Sequence, residues 1–136
     1  MRKLIALITA LFILFPVSAL ANDVDVYING KEVEFDQPPI IYEDLTFVPF
    51  RNIFESLGMV VQWNDAEKCA TAFNKSYNIS FIMDYDYIFV NDLGHPITHG
   101  PIIRNSRLLV PLRSLVNAIN GQIYWDESSR SVLIYT

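Results

Sequence analysis

Phe47-Val48-Pro49-Phe50-Arg51-Asn52-Ile53-Phe54-Glu55-Ser56-Leu57-Gly58 decides the fold, because the chain writes it a second time. The second copy, Leu109-Val110-Pro111-Leu112-Arg113-Ser114-Leu115-Val116-Asn117-Ala118-Ile119-Asn120, stands 62 residues further on. In each copy a proline sits where the first residue of a helix tolerates a missing N–H. Apolar residues then follow at i, i+3, i+4 and i+7, namely Phe50, Ile53, Phe54 and Leu57, and Leu112, Leu115, Val116 and Ile119. That spacing predicts a short helix with one buried face. Gly58 supplies a left-handed cap to the first helix and Asn120-Gly121 ends the second. Helices of barely three turns do not hold alone in water, so each needs a sheet to pack on.

The repeat extends outward in both directions without a gap. Pro39-Ile40-Ile41 returns as Pro101-Ile102-Ile103, Trp63 as Trp125, and Asn29 as Asn91. Upstream, Val24, Val26 and Ile28 alternate with polar residues, Asn29-Gly30 provides the positive φ angles of a tight hairpin turn, and Val33 and Phe35 resume the alternation. Ile88 and Val90 lead into a looser version of that turn over Asn91 to Gly94. Gln37-Pro38-Pro39 and Gly100-Pro101 take the chain off its sheet edge. A short apolar strand, Thr46-Val48 or Leu108-Val110, then reaches the helix. Downstream, Met59, Val61 and Trp63 are expected to alternate inward before the chain turns and returns over residues 68 to 73, and Ile123 and Trp125 to do the same. Ile79, Phe81 and Met83 form one further strand between the copies.

The expected fold is therefore α+β: antiparallel β-sheet packed against two short helices, as a pseudo-duplicated β-β-α-β-β unit with copies over about 24–85 and 86–136. Each copy alone is too small to bury a stable core without disulfide or metal, so one fused domain over 22–136 is expected rather than two.

Arg2 and Lys3, the apolar run from Leu4 to Phe15 and the small-residue site Ala19-Leu20-Ala21 read as a secretory signal peptide over residues 1–21, too short for a comfortable membrane span. The rival reading is an uncleaved anchor. Removal of Arg2 and Lys3 leaves eight basic residues against 15 acidic ones, a net charge of −7. That balance, without basic clusters, argues against nucleic acid and anionic lipid as partners. No later segment reaches transmembrane length. The expected localisation is outside the cytoplasm: extracellular, wall-associated or periplasmic.

The motifs now quoted, with Val26-Tyr27-Ile28-Asn29-Gly30-Lys31-Glu32-Val33, Val61-Gln62-Trp63-Asn64 and Tyr124-Trp125-Asp126, resemble the copper amine oxidase N-terminal-like (stalk) domain family over essentially the whole mature chain. The departures are His95-Pro96, where the family reads more like Lys-Glu-Val, and Asn120 in place of a usual glycine. The resemblance implies an antiparallel sheet wrapped against short helix in an exported bacterial module that is not the catalytic part of the oxidase. Oxidase catalysis takes copper held by three histidines and a quinone made from tyrosine in an Asn-Tyr-[Asp/Glu] motif; this chain has two histidines and no such tripeptide.

Candidate chemistry is sparse. Cys69, the only cysteine, returns as Ser131, so no sulfur chemistry is required there. His95 and His99 would lie roughly 13 Å apart in a strand, too far to share a metal. Glu43, Asp44 and Glu55 return as Asn105, Ser106 and Asn117, which leaves no repeated carboxylate pair for a hydrolase. No catalytic residue, cofactor or metal ligand is assigned. Arg51 and Arg113 are repeated at one register, either to stack on Trp63 and Trp125 or pair with Asp65 or Glu127, or else to capture an anionic group. Tyr85 and Tyr87, flanked by Asp84 and Asp86, are edge residues or a platform for sugar rings or a protein. The function expected from these residues is non-catalytic: binding or display at the bacterial envelope through a protein contact or cell-wall glycan. The alternative is a structural or regulatory subunit completing a separate enzyme or surface assembly.

Overall fold

The computed structural model describes residues 24–136; the signal-peptide reading of 1–21 lies outside them. In chain order the elements are β1 (Asp25–Ile28), β2 (Lys31–Glu32), β3 (Ile40–Tyr42), β4 (Leu45–Pro49), α1 (Phe50–Ser56), β5 (Val60–Asn64) and β6 (Cys69–Phe73). Then follow β7 (Asn78–Ile82), β8 (Tyr87–Val90), β9 (Leu93–Pro96), β10 (Ile102–Arg104), β11 (Arg107–Pro111), α2 (Leu112–Ala118), β12 (Gln122–Asp126) and β13 (Ser131–Tyr135). The architecture is α+β, mostly antiparallel, with two short helices.

The strands form three sheets, ordered β12-β13-β1-β2, β10-β11-β4-β3 and β5-β6-β7-β8-β9. At the centre of the second, β4 and β11 run antiparallel with Val48 opposite Val110, two residues that share a position in the 62-residue offset. Both are fully buried. Phe50, Ile53 and Phe54 of α1 and Leu112, Leu115 and Val116 of α2 are buried too, so the helical stripes face the core as their spacing predicts. One cluster of buried residues runs from Val24 to Ile134 and includes both helices.

Four expectations need correction. The segment before each helix carries a strand pair: β3 and β4 turn through Glu43 and Asp44, at φ 51° and 67°, and β10 and β11 through Asn105 and Ser106, at 51° and 63°. The second hairpin turn is as tight as the first, with Asn91 and Asp92 at φ 50° and 71° and Val90 paired to Leu93. The sheets are not wholly antiparallel, because β1 runs parallel to β13. The reason lies in β7: it stands between β6 and β8, antiparallel to both, whereas no strand separates β13 from β1. Finally, Trp63 and Trp125 are not buried: they share the inward face with Val61 and Ile123, opposite Ala70 and Val132, but stay 44% and 46% exposed on edge strands. An indole N–H must find an acceptor, and each finds one at the surface, Asp65 at 3.4 Å and Glu127 at 2.7 Å.

The repeated asparagines act alike. Asn29, at φ 50°, donates from Nδ2 to Thr136 Oγ1 and accepts at Oδ1 from the Thr136 N–H, both at 3.0 Å, which fastens the end of β13. Asn91 Oδ1 accepts from the Asn78 N–H at 2.8 Å and fastens the start of β7. Asn29→Ala is expected to lower stability by about 1–2 kcal/mol, through lost hydrogen bonds and a left-handed backbone that alanine resists. Asn29→Gly keeps the backbone freedom and should lose less in a urea titration; equal losses would put the effect in the hydrogen bonds alone.

Candidate functional site

Among the described residues, two of the surface clefts are built from residues at matching positions of the repeat. The larger, about 570 Å3, is lined by Pro49, Phe50, Arg51 and Asn52 at the start of α1, by Val61 to Trp63 of β5, and by Ser106 to Leu108 at the β10–β11 turn. The other, about 430 Å3, is lined by Pro111 to Ser114 of α2, Ile123 to Trp125 of β12, and Asp44 to Thr46 at the β3–β4 turn. Each cleft thus combines the helix and tryptophan strand of one copy with a turn of the other. This follows from the β4–β11 pairing, which lays each turn against the opposite helix.

The clefts differ in charge. Arg51 Nη1 lies 3.1 Å from Glu55 Oε2, an i, i+4 ion pair with both side chains more than half exposed. Arg107 Nε lies 3.0 Å from Asp36 Oδ2 in the same cleft. Exposed pairs of this kind contribute little to stability, about 0–1 kcal/mol, but they neutralise the local charge. Arg113 is placed as Arg51 is, yet Asn117 stands where Glu55 would, and Arg113 forms no ion pair among the described residues.

The two expected structural roles for the repeated arginines therefore give way to others. Arg51 pairs with Glu55 along its own helix rather than with Asp65. Asp65 is taken by Lys68 Nζ at 3.0 Å and by the Trp63 indole. The cation over Trp125 is Arg130, its Cζ 5.6 Å from the ring centroid, not Arg113. Positions 68 and 130 close the hairpin that carries the indole strand, which sets their cations beside Asp65 and Trp125, while Arg51 shares its cleft with Trp63 but pairs along its own helix.

The carboxylates of these turns are acidified. Asp65 is held below the ordinary carboxylate value first by the Lys68 hydrogen bond, then by that of Trp63. Asp126 is held down chiefly by the Ser128 hydroxyl. A carboxylate with a lowered folded pKa contributes stability that is present above its ordinary pKa, about 4, and lost as pH falls through the lowered value. The thermal midpoint should therefore fall with pH below about 4, and Asp65→Asn should flatten part of that fall. An unchanged profile in Asp65→Asn would assign the acid sensitivity elsewhere.

Tyr85 and Tyr87 line neither cleft. Tyr85 is 55% exposed just before β8, and Tyr87 opens that strand at 42% exposed. The Tyr87 ring stacks on Phe89 with centroids 6.1 Å apart, and both rings lie over Gly94, whose missing side chain makes room for them. Asp86 is occupied: its Oδ1 accepts from the Gly100 N–H at 2.7 Å. The four residues singled out from sequence thus fall at three places, two clefts and one strand end. His95 is exposed on β9, whereas His99 packs edge-on against Tyr42 and Phe47 and donates from Nδ1 to the Gly100 carbonyl at 2.8 Å. Among the described residues no three of His, Cys, Asp and Glu cluster to hold a metal ion. Asn117 lines the Arg113 cleft and is not among the residues the sequence singles out, although the change from Glu55 to Asn117 between the copies is a signal for it.

The family model for the copper amine oxidase N-terminal domain matches residues 27–134. The chain belongs to this family. The match runs from β1 to β13 and so takes in both clefts and both copies of the repeat. No curated protein matches the chain significantly. Among the described residues of this family member, no helix is long and apolar enough to cross a membrane.

Proposed function

We propose that this copper amine oxidase N-terminal domain is a non-catalytic exported module that binds at the bacterial cell envelope, through a protein contact or cell-wall glycan. In this reading a 1–21 signal peptide is removed, and residues 22–136 form one stalk-type domain from two copies of a β-β-α-β-β unit. The observation that carries it is the repetition of surface clefts lined by an arginine and an exposed tryptophan. Residue types suited to gripping a ligand recur, while Cys69, His95, His99 and the carboxylates of Glu43 and Glu55 do not. Arg51, Arg113, Tyr85 and Tyr87 are the proposed contacts.

Sedimentation with purified cell walls tests the proposal. The protein is expected to pellet with walls, and Tyr85→Ala with Tyr87→Ala to reduce the retained fraction severalfold if the aromatic strand end meets glycan. Absence of retention, with co-purification of one specific protein, would instead favour a subunit that completes another assembly.

A further inference from the structure

The two clefts match in position but not in charge, and the difference isolates one cation. In the Arg51 cleft both arginines are already ion-paired, with Glu55 and Asp36. In the Arg113 cleft, Arg113 is the only lysine or arginine of the lining, and Asp44, the only carboxylate there, stands beyond ion-pair distance from it. Asn117, one helical turn on, removes the intrahelical partner that Arg51 has. We infer that the Arg113 cleft binds a sugar bearing a single carboxylate.

The chemistry follows from the lining. An unneutralised guanidinium offers a planar fork of donors that fits a carboxylate with two hydrogen bonds. Ser114, Asn117 and Thr98 supply neutral polar groups suited to hydroxyls, and Trp125, 46% exposed, supplies aromatic surface for a sugar ring, whereas the Tyr124 ring lies on the other face of β12 against Tyr135. A densely charged polyanion is the poorer fit, because Arg113 is the only lysine or arginine of the lining and the chain's net charge is −5. The sugar carboxylate has two common forms, the acid of a uronic sugar and the lactyl ether of a muramic sugar, and the cleft chemistry is shared by both. The inference rests on the envelope-binding reading only for where such a sugar is met.

Amide and indole NMR titrations of the protein test it, with glucuronic acid, N-acetylmuramic acid, N-acetylglucosamine and inorganic phosphate as probes. At least one carboxylated sugar is expected to shift the Trp125 indole and the Arg113 and Ser114 amides saturably, and to bind about tenfold more tightly than N-acetylglucosamine, as loss of a charged hydrogen-bond partner implies. Arg113→Gln should erase that preference. Asn117→Glu, an exposed change that installs the ion pair of the other cleft, should erase it with the guanidinium still in place. Glu55→Asn should create the preference in the Arg51 cleft. No saturable shift, equal binding of the neutral sugar, phosphate binding at least as tight as either acid, or an unaffected Asn117→Glu variant would each overturn the inference. Failure of the broader reading shows differently: the carboxylated sugar binds, but the protein does not sediment with walls. Wall retention unaltered in Arg113→Gln, without sugar binding at the cleft, would leave that reading standing and remove this one.

Discussion

Gly100→Ala is expected to lower the thermal midpoint by 10 °C or more, about 3 kcal/mol for a domain near this size. Gly100 is buried, and a Cβ built on it would collide with the backbone carbonyl oxygen of Tyr85 and lie 2.9 Å from that carbonyl's carbon. The obstacle is main chain, so no side-chain rotation relieves it. The same junction holds the Gly100 N–H bond to Asp86, the Ile97 N–H bond to the Asp86 carbonyl at 3.0 Å, and His99 against the Gly100 carbonyl. Moving residues 85 and 100 apart strains all three. Overpacking of this type typically costs about 1–3 kcal/mol where neighbours can yield, and more where they cannot. Gly30→Ala is the contrasting control: its φ is +86° but nothing lies within 4 Å of the added atom, so only backbone preference opposes it, about 1–2 kcal/mol. Urea or thermal melts in which Gly100→Ala loses no more than Gly30→Ala would show that the β7–β8 connection shifts freely and would sink the prediction.

Gly100 also shows where sequence reading stops. Gly100-Pro101 reads as a sheet exit, but the need for glycine comes from Tyr85, fifteen positions away and brought close only by the fold. The helices were legible because their cause is local: a proline start, an apolar stripe and a left-handed cap all lie within a dozen residues. The Asn29-Gly30 turn was legible for the same reason. The β3–β4 hairpin was not, since Glu43 and Asp44 are unusual at two successive positive φ angles and the preceding prolines suggested a loop. The parallel β1–β13 pair was beyond reach, because it joins the two ends of the described chain and depends on the absence of a strand between them. At the clefts, the repeated Arg and Trp could be named from sequence, but the turn each helix faces could not. The charge difference at Arg113 had meaning only once Arg51 was seen paired with Glu55.

Phe54→Ala carries the other large expected effect, about 3–5 kcal/mol, as deletion of a fully buried aromatic ring does. Phe54 has no exposed surface, and its ring lies 4.7 Å from that of Phe50, which in turn meets Phe81 of β7 edge-on at 6.1 Å. Since small domains are stable by about 5–15 kcal/mol, the loss is a large fraction of the whole. Val116 occupies the same register in α2 and is equally buried, but its side chain is smaller, so Val116→Ala should cost about 2–3 kcal/mol from the transfer and cavity terms together. How these losses appear decides the domain organisation. The helix α1 touches β11 as well as β4 and β5, and α2 touches β4 as well as β11 and β12, so each helix rests on the central strand of the other copy. If 22–136 unfolds as one unit, both variants move a single transition, and circular dichroism and tryptophan fluorescence trace it with one midpoint. Two independent copies would behave otherwise: Phe54→Ala would displace only the transition reported by Trp63 and leave the one reported by Trp125 in place. Observation of two such transitions would overturn the fused domain, and with it the dependence of each cleft on both copies.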